Sequence, residues 1–294
     1  MDNLLYKQSL PLIDKILLTK HRLREFYNKY HGNIYISFSG GKDSTVLLDI
    51  ARQEYPNIEA VFVDTGLEYP EIKEFVRTIK NVTWIKPEMT FNKVIEKYGY
   101  PLISKEQSQY INEAKHTKSD IVRNTRLNGN KWGMGKVSDK WKFLIDAPFE
   151  ISHNCCNVMK KRPLKKYEKI SNKYPVIGIM AEESILRKKD IEKNGCNMFD
   201  VKRPISRPLS FWVESDIWDY IKTYNINYSK IYDMGYKRTG CMFCGFGVHL
   251  EDNDLFQQGR FELMKQTHPK IYDYIMSEKG LNYNYILSYI RNKH

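Results

Sequence analysis

Short apolar runs alternate with segments of helical spacing through much of the 294-residue chain. Ile34-Tyr35-Ile36-Ser37-Phe38, Glu59-Ala60-Val61-Phe62-Val63, Val82 to Ile85 and Val176-Ile177-Gly178-Ile179-Met180 have the length and the β-branched or aromatic content of strands. Thr45 to Arg52 and Glu71 to Lys80 read as helices between them, and this alternation predicts parallel βαβ units. Upstream, Pro11 to Tyr30 sets Ile13, Ile16, Leu17, Leu23 and Tyr27 near one helical face, and His31-Gly32-Asn33 ends that helix. Downstream, Ser210 to Tyr224 repeats the spacing with Val213, Ile217, Tyr220, Ile221 and Tyr224, and Asp254 to Asn292 reads as helices broken at Pro269 and Gly280. The expected fold is α/β, a parallel sheet of about five strands flanked by helices. An N-terminal helix spans 1–31, an α/β core 32–208 carries a basic insert at about 100–150, and a helical C-terminal region spans 209–294. No internal repeat or low-complexity segment appears.

The insert is polar and basic, with Lys105, Lys115, Lys118, Arg123, Arg126, Lys131, Lys136, Lys140 and Lys142. Helical spacing runs from Ser104 to Leu127, and then Asn128-Gly129-Asn130 and Gly133-Met134-Gly135 break it. Its readings are a solvated face, a lid or a polynucleotide contact. Lys160 to Lys173 is a second basic, helix-like run.

Composition sharpens this picture. A 41% hydrophobic share with 13% aromatics excludes a disordered chain, and the length suffices for a sizeable core. No apolar run approaches the roughly 20 residues of a bilayer span, and Met1 to Lys7 lacks a signal-peptide pattern, so the expectation is a cytoplasmic protein without a membrane partner. The formal charge of +12 attracts polyanions, which makes nucleic acid and anionic nucleotides the partner classes to consider.

Ser39-Gly40-Gly41-Lys42-Asp43-Ser44 joins the first strand to its helix. Adjacent glycines reach backbone angles closed to other residues, so several N–H groups can converge on an anion at a helix N-terminus. Lys42 adds a point charge, and Ser39 and Ser44 add hydroxyls. The same composition also makes ordinary turns. The spacing is not that of a Walker A loop. Asp64-Thr65-Gly66 closes the second strand and is expected in the same crevice, beyond the carboxyl ends of the strands.

Five cysteines, Cys155, Cys156, Cys196, Cys241 and Cys244, speak for metal or redox use rather than a disulfide framework. Cys155-Cys156 with Cys241-x-x-Cys244 supplies four thiolates, enough for one zinc or one [4Fe–4S] cluster. Adjacent cysteines suit a cluster better, because each side chain can reach a different iron, whereas zinc ligands are usually spaced by two to four residues.

The glycine loop resembles the SGGxDS loop of the PP-loop ATP pyrophosphatases, whose core is of the HUP type. With Asp64-Thr65-Gly66-Leu67-Glu68-Tyr69-Pro70-Glu71, Cys155-Cys156-x3-Lys160-x2-Pro163, Arg187 and Gly240-Cys241-x2-Cys244 in order, the chain resembles the phosphoadenosine phosphosulfate (PAPS) reductase-like family, iron–sulfur branch, over about Asn33 to Gly245. The resemblance implies an adenine nucleotide in the crevice, either ATP with Mg²⁺ or a sulfonucleotide (APS or PAPS). It assigns Ser39, Gly40, Gly41, Lys42, Asp43, Ser44, Asp64, Thr65, Gly66 and Arg187 to nucleotide or phosphate. Lys42, Asp43 and Arg187 are the catalytic candidates, with Asp43 able to hold Mg²⁺. Cys155, Cys156, Cys241 and Cys244 would hold the cluster, and Lys160, Lys161, Arg162, Glu183 and Ser184 would guide substrate.

Two departures stand out. In the stretch resembling the family's GxRxxQSxxR element, Met180 replaces the first arginine and Glu183 the glutamine, which weakens the fit to a sulfate-bearing ligand. No cysteine follows Cys244 in these residues, so the nucleophile of a sulfonucleotide reductase would have to be Cys196. The resemblance then implies an enzyme that activates a substrate by adenylation, releases pyrophosphate and transfers sulfur, with nucleic acid as acceptor and a cysteine desulfurase as sulfur donor. The competing readings are a reductase served by a thiol reductant, and a non-catalytic nucleotide or redox sensor. An oligomer is compatible with each.

Overall fold

In the computed structural model, which describes residues 3–248 and 259–293, the strands are β1 Ile34–Ser37, β2 Ala60–Val63, β3 Val82–Ile85, β4 Leu102–Ile103, β5 Tyr174–Ile177, β6 Asn197–Met198, β7 Ile205–Ser206 and β8 Gly245–Phe246. The chain divides into two units that interleave along the sequence. The first comprises Met1–Asp64, Glu68–Lys86 and Pro163–Tyr232, and the second Thr65–Leu67, Pro87–Arg162 and Asp233–His294.

The first unit holds a six-stranded sheet in the order β3-β2-β1-β5-β7-β6. Ile34, Tyr35 and Ile36 are buried, as expected of a central parallel strand whose two faces are both covered. β1 pairs in parallel with β2 (Ile36 opposite Ala60) on one edge and with β5 (Ile36 opposite Val176) on the other. The chain therefore leaves β1 at a switch point of strand order, where open α/β sheets form a crevice. The expected five parallel strands become six with one antiparallel edge, since β6 runs against β7. β6 and its neighbour β7 are two residues long each, too short for any hydrophobic period to register.

Helix Leu12–Lys29 buries Ile16, Thr19, Leu23 and Phe26. Ile13 and Leu17, expected on the covered face, are instead exposed at 55% and 58%. The buried stripe is displaced because Lys15 turns inward onto Asp216 (2.6 Å) and Thr19 accepts the Trp212 indole N–H (2.9 Å). Helix Glu214–Thr223, shorter than the expected Ser210 to Tyr224, supplies that Asp216 and buries Ile217, Tyr220 and Ile221.

In the second unit β4 and β8 pair in parallel, with Leu102 opposite Gly245 and Ile103 opposite Phe246. Gly245 is required there, because a Cβ would lie 2.5 Å from the Pro101 carbonyl oxygen. Tyr283 is fully buried against Tyr100 and Phe261, and its hydroxyl donates to the Phe243 carbonyl (2.7 Å). The single helix expected from Ser104 to Leu127 is two, Lys105–His116 and Asp120–Asn128. The Ser119 hydroxyl caps the second by accepting the Val122 N–H, and so stops the first. Helices Arg260–Thr267, Pro269–Met276 and Tyr283–Lys293 follow, while the start of the expected C-terminal helical run, 254–258, lies outside the described residues.

Candidate functional site

Gly40 follows β1 with φ +73°, and a Cβ there would lie 2.6 Å from Val76 Cγ2 and 2.9 Å from Ile72 Cγ2. Only glycine fits this turn. Gly41 is the N-cap of helix Lys42–Glu54, so the loop does end in a helix N-terminus. Ser39 and Ser44, read as ligand donors, lock the loop. Ser44 Oγ donates to the Gly41 carbonyl (2.9 Å), accepts the Ser39 N–H (3.2 Å) and lies 3.0 Å from Ser39 Oγ, which in turn accepts the Gly41 N–H (3.3 Å). Gly178, just beyond β5, lets the sheet approach the helix closely, since a Cβ there would lie 3.2 Å from the Asp43 carbonyl oxygen.

Lys42 is buried. Its Nζ lies 3.2 Å from Asp43 Oδ1 and 3.3 Å from Glu214 Oε1, and its backbone N–H donates to the Tyr232 hydroxyl (2.8 Å). Burial alone would lower the lysine's pKa, but Asp43, Tyr232 and Glu214 together hold it above the ordinary value. Burial pushes the Asp43 carboxyl up against the pull of Lys42, and the charges of Glu183 and Glu214 push the same way. Two carboxylates, Asp43 and Glu214, thus act electrostatically on the loop lysine, and Glu183 acts on Asp43.

Arg187, expected on an anion, forms an ion pair with Glu183, the residue standing where the family motif has glutamine. Glu183 also accepts the Met180 N–H (2.9 Å), and Ser184 caps the following helix by accepting the Arg187 N–H (3.2 Å). Asp64 is in the first unit, with Lys73 Nζ 2.9 Å from its Oδ1. Thr65 and Gly66 belong to the second unit, where Thr65 Oγ1 accepts the Leu67 N–H (3.1 Å) and Gly66 has φ +75° with no neighbour for an added Cβ. Glu214 and Tyr232 were not singled out from sequence, and no local motif marks either.

All four motif cysteines lie in the second unit. Cys155 and Cys156 open a helical segment whose next turn, Asn157–Lys161, is a π-turn, a feature frequent at functional sites. Their sulfurs are 4.0 Å apart, and the Cys244 N–H donates to the Cys241 carbonyl (3.1 Å) to close the CxxC turn. Cys155 is pushed well up by its hydrogen bond to Cys156 and by burial, with Cys156, Cys244 and Cys241 adding to the effect. Cys156 is held below the usual thiol range by the Cys155 hydrogen bond, helped by Lys105 and Lys160. Burial raises the Tyr283 phenol, as do Cys244 and Cys155. The four thiols therefore share one electrostatic neighbourhood. Among the described residues no three His, Cys, Asp or Glu side chains are grouped to hold one metal ion. Two pairs of thiols supply the donor number and softness that one zinc or one [4Fe–4S] cluster takes. Lys160 is half-buried beside Cys156, while Lys161 and Arg162 are exposed. Cys196 stands apart in the first unit, its Sγ 2.9 Å from Ser210 Oγ, in the wall of a cavity of about 350 Å³.

A mostly parallel sheet with a glycine-bearing loop and helix N-terminus at its switch point is the arrangement of an α/β protein that takes a phosphate-bearing ligand. Residues 33–245 match the phosphoadenosine phosphosulfate reductase domain, and the chain belongs to that family. It is 26% identical over 245 residues to adenosine 5'-phosphosulfate reductase 2 of Bacillus subtilis, covering 80% of this chain and 82% of that protein. An uncharacterized protein of Methanocaldococcus jannaschii is 25% identical over 272 residues, 92% of this chain, which spans about half (51%) of that longer relative. The phosphoadenylyl-sulfate reductase of Candida auris, solved as a phosphate complex, superposes with a TM-score of 0.46 at 15% identity over 76% of this chain and 87% of that one.

Proposed function

We propose that the chain is an ATP-dependent sulfur-transfer enzyme that adenylates its acceptor and releases pyrophosphate. The observation that carries this reading is the group of carboxylates at the loop, Asp43 and Glu214 acting on Lys42 and Glu183 acting on Asp43. Asp43, Glu183 and Glu214 disfavour a bare phosphosulfate but suit a nucleotide arriving with Mg²⁺, which is usually held by one or two carboxylates plus substrate phosphates. The N-terminus of helix Lys42–Glu54 would favour the leaving pyrophosphate through its dipole, while the Gly41 and Lys42 N–H groups hold the loop through Ser39 Oγ and the Tyr232 hydroxyl. Asp43 and Glu214 would hold the Mg²⁺ that arrives with the nucleotide, leaving Lys42 to pair with the phosphates, and Arg187 would pair with the α-phosphate.

The acceptor's carbonyl oxygen attacks the α-phosphorus, forming a P–O bond as the bond to pyrophosphate breaks. Hydrosulfide sulfur then adds to the activated carbon, and AMP leaves with the oxygen. A persulfide donor such as a cysteine desulfurase requires a two-electron thiol reductant to deliver sulfur at this level. Cys155, Cys156, Cys241 and Cys244 would hold a [4Fe–4S] cluster, whose chemistry there is to carry the sulfur. Lys160 and Lys105 offset the charge of the thiolates. The net charge of +12 supports a nucleic-acid acceptor.

A second reading, sulfonucleotide reduction to sulfite, is favoured by the likeness to an APS reductase over 82% of its length. One anaerobic preparation separates the two. Iron and sulfide are quantified, pyrophosphate release from Mg-ATP is measured with and without RNA or DNA, and sulfite release is measured from APS and PAPS. Mg²⁺-dependent pyrophosphate release supports sulfur transfer, and sulfite without ATP consumption overturns it.

A further inference from the structure

The second unit carries a surface whose charge and shape answer to a particular form of nucleic acid. Positions 115–142 contain eight Lys or Arg against two Asp. Within this stretch, residues 129–135 form a tightly tied loop. Asn130 Oδ1 accepts the N–H groups of Trp132 (2.9 Å) and Met134 (3.0 Å), and its own N–H donates to the Met134 carbonyl (2.8 Å). The loop's far end is fastened to helix Asp120–Asn128, since Arg126 Nη1 donates to the Gly135 carbonyl (2.7 Å) and the Val137 N–H to the Arg126 carbonyl (2.8 Å). Arg126 is itself held by Glu113 (2.6 Å) and by the Tyr110 ring, 4.2 Å from its guanidinium carbon.

This bracing holds outward what folding normally buries. Trp132 is 68% exposed and Met134 60% exposed. The Lys131 ammonium lies 4.2 Å from the centre of the Trp132 ring, while most of the indole faces solvent. An indole held by a pre-ordered loop loses little freedom on binding, and a flat aromatic surface beside cationic side chains matches an unpaired base joined to its phosphates. A duplex hides its base faces, so the match is to a single strand.

We propose that the 129–135 loop is a single-strand contact, in which Trp132 stacks on an unpaired base and Lys131 lies against the neighbouring phosphate. This rests on the reading above that the acceptor is a nucleic acid, and it narrows that acceptor to a single-stranded segment or an unpaired loop.

The test is fluorescence anisotropy with labelled RNA and DNA strands of about 16 nucleotides and with blunt duplexes of the same sequences, at one fixed ionic strength. Single strands are expected to bind the wild type more tightly than duplexes. Trp132→Ala should weaken single-strand binding by about 5- to 100-fold, from the usual worth of one stacked base. Trp132→Phe should restore much of that loss, and neither variant should move duplex binding. The melting temperature of each variant checks folding, which an exposed side chain should leave unchanged. Equal single-strand affinity for the wild type and Trp132→Ala, or no single-strand binding by the wild type, overturns the proposal. Pyrophosphate release is followed in the same samples. Trp132-dependent binding without release leaves this surface standing and sinks the enzymatic reading, whereas nucleic-acid-stimulated release indifferent to Trp132 does the reverse.

Discussion

Replacing Gly40 by alanine tests how the phosphate loop is built. The residue has φ +73°, where a side chain costs about 1–2 kcal/mol. The new methyl would also lie 2.6 Å from Val76 Cγ2 and 2.9 Å from Ile72 Cγ2, on side chains that are fully buried and 2% exposed, so neither can yield cheaply. Overpacking of this kind costs about 1–3 kcal/mol, so Gly40→Ala should lose about 2–5 kcal/mol in all. Gly66→Ala at φ +75°, with nothing near its Cβ, should lose only the conformational part. Val76→Ala alone should cost about 1–3 kcal/mol, and it removes the methyl that clashes most. The double variant Gly40→Ala with Val76→Ala should therefore fall short of the summed losses by about 1–2 kcal/mol. Urea unfolding followed by both tryptophan fluorescence and far-UV circular dichroism measures each loss and reveals whether the two units unfold together. Losses that add to within about 0.5 kcal/mol, or Gly40→Ala no worse than Gly66→Ala, would refute the steric account.

Three further outcomes follow from charges the fold has placed. Lys15→Met strips the buried Asp216 of its 2.6 Å partner, with side-chain exposures of 3% and 12%, and should cost about 3–5 kcal/mol in urea unfolding; adding Asp216→Asn should recover part by removing the stranded charge. In protein freed of metal, Cys156 should alkylate with iodoacetamide well before Cys155 at neutral pH, because its thiol is held below the usual range; Lys105→Ala should move the midpoint of its pH–rate curve upward, as read by peptide mass spectrometry. The Glu54 carboxyl is lowered chiefly by the Arg24 hydrogen bond, with help from Lys20, so its contribution to stability is complete above the ordinary carboxylate range and is lost as pH falls through its depressed value. Glu54→Gln should therefore flatten the acid limb of melting temperature against pH below about 4, and an unchanged limb would contradict the assignment.

What the chain disclosed before folding was what its chemistry holds locally. β1, β2 and β5 are apolar runs with buried centres and β3 is a half-buried run of β-branched and aromatic residues, so composition alone marked them, and the glycine loop and paired cysteines are contiguous motifs. Lys15 was illegible because a charged side chain is buried only when a partner waits, and Asp216 stands 201 residues away. The same distance effect hid the approach of Glu214 to Lys42, whereas Glu183 and Arg187 stand only four residues apart, at helical i,i+4 spacing, and their pairing was within reach of the sequence. These two pairings change the meaning of the motif. A loop lysine and a motif arginine that are already neutralised offer a free anion much less than their types suggest. A ligand must then either displace two carboxylates or bring a cation that engages them, and a magnesium-bound triphosphate does the second while supplying phosphates for Lys42 and Arg187. On the proposed reading, the carboxylates around the loop, and not its glycines, select the ligand.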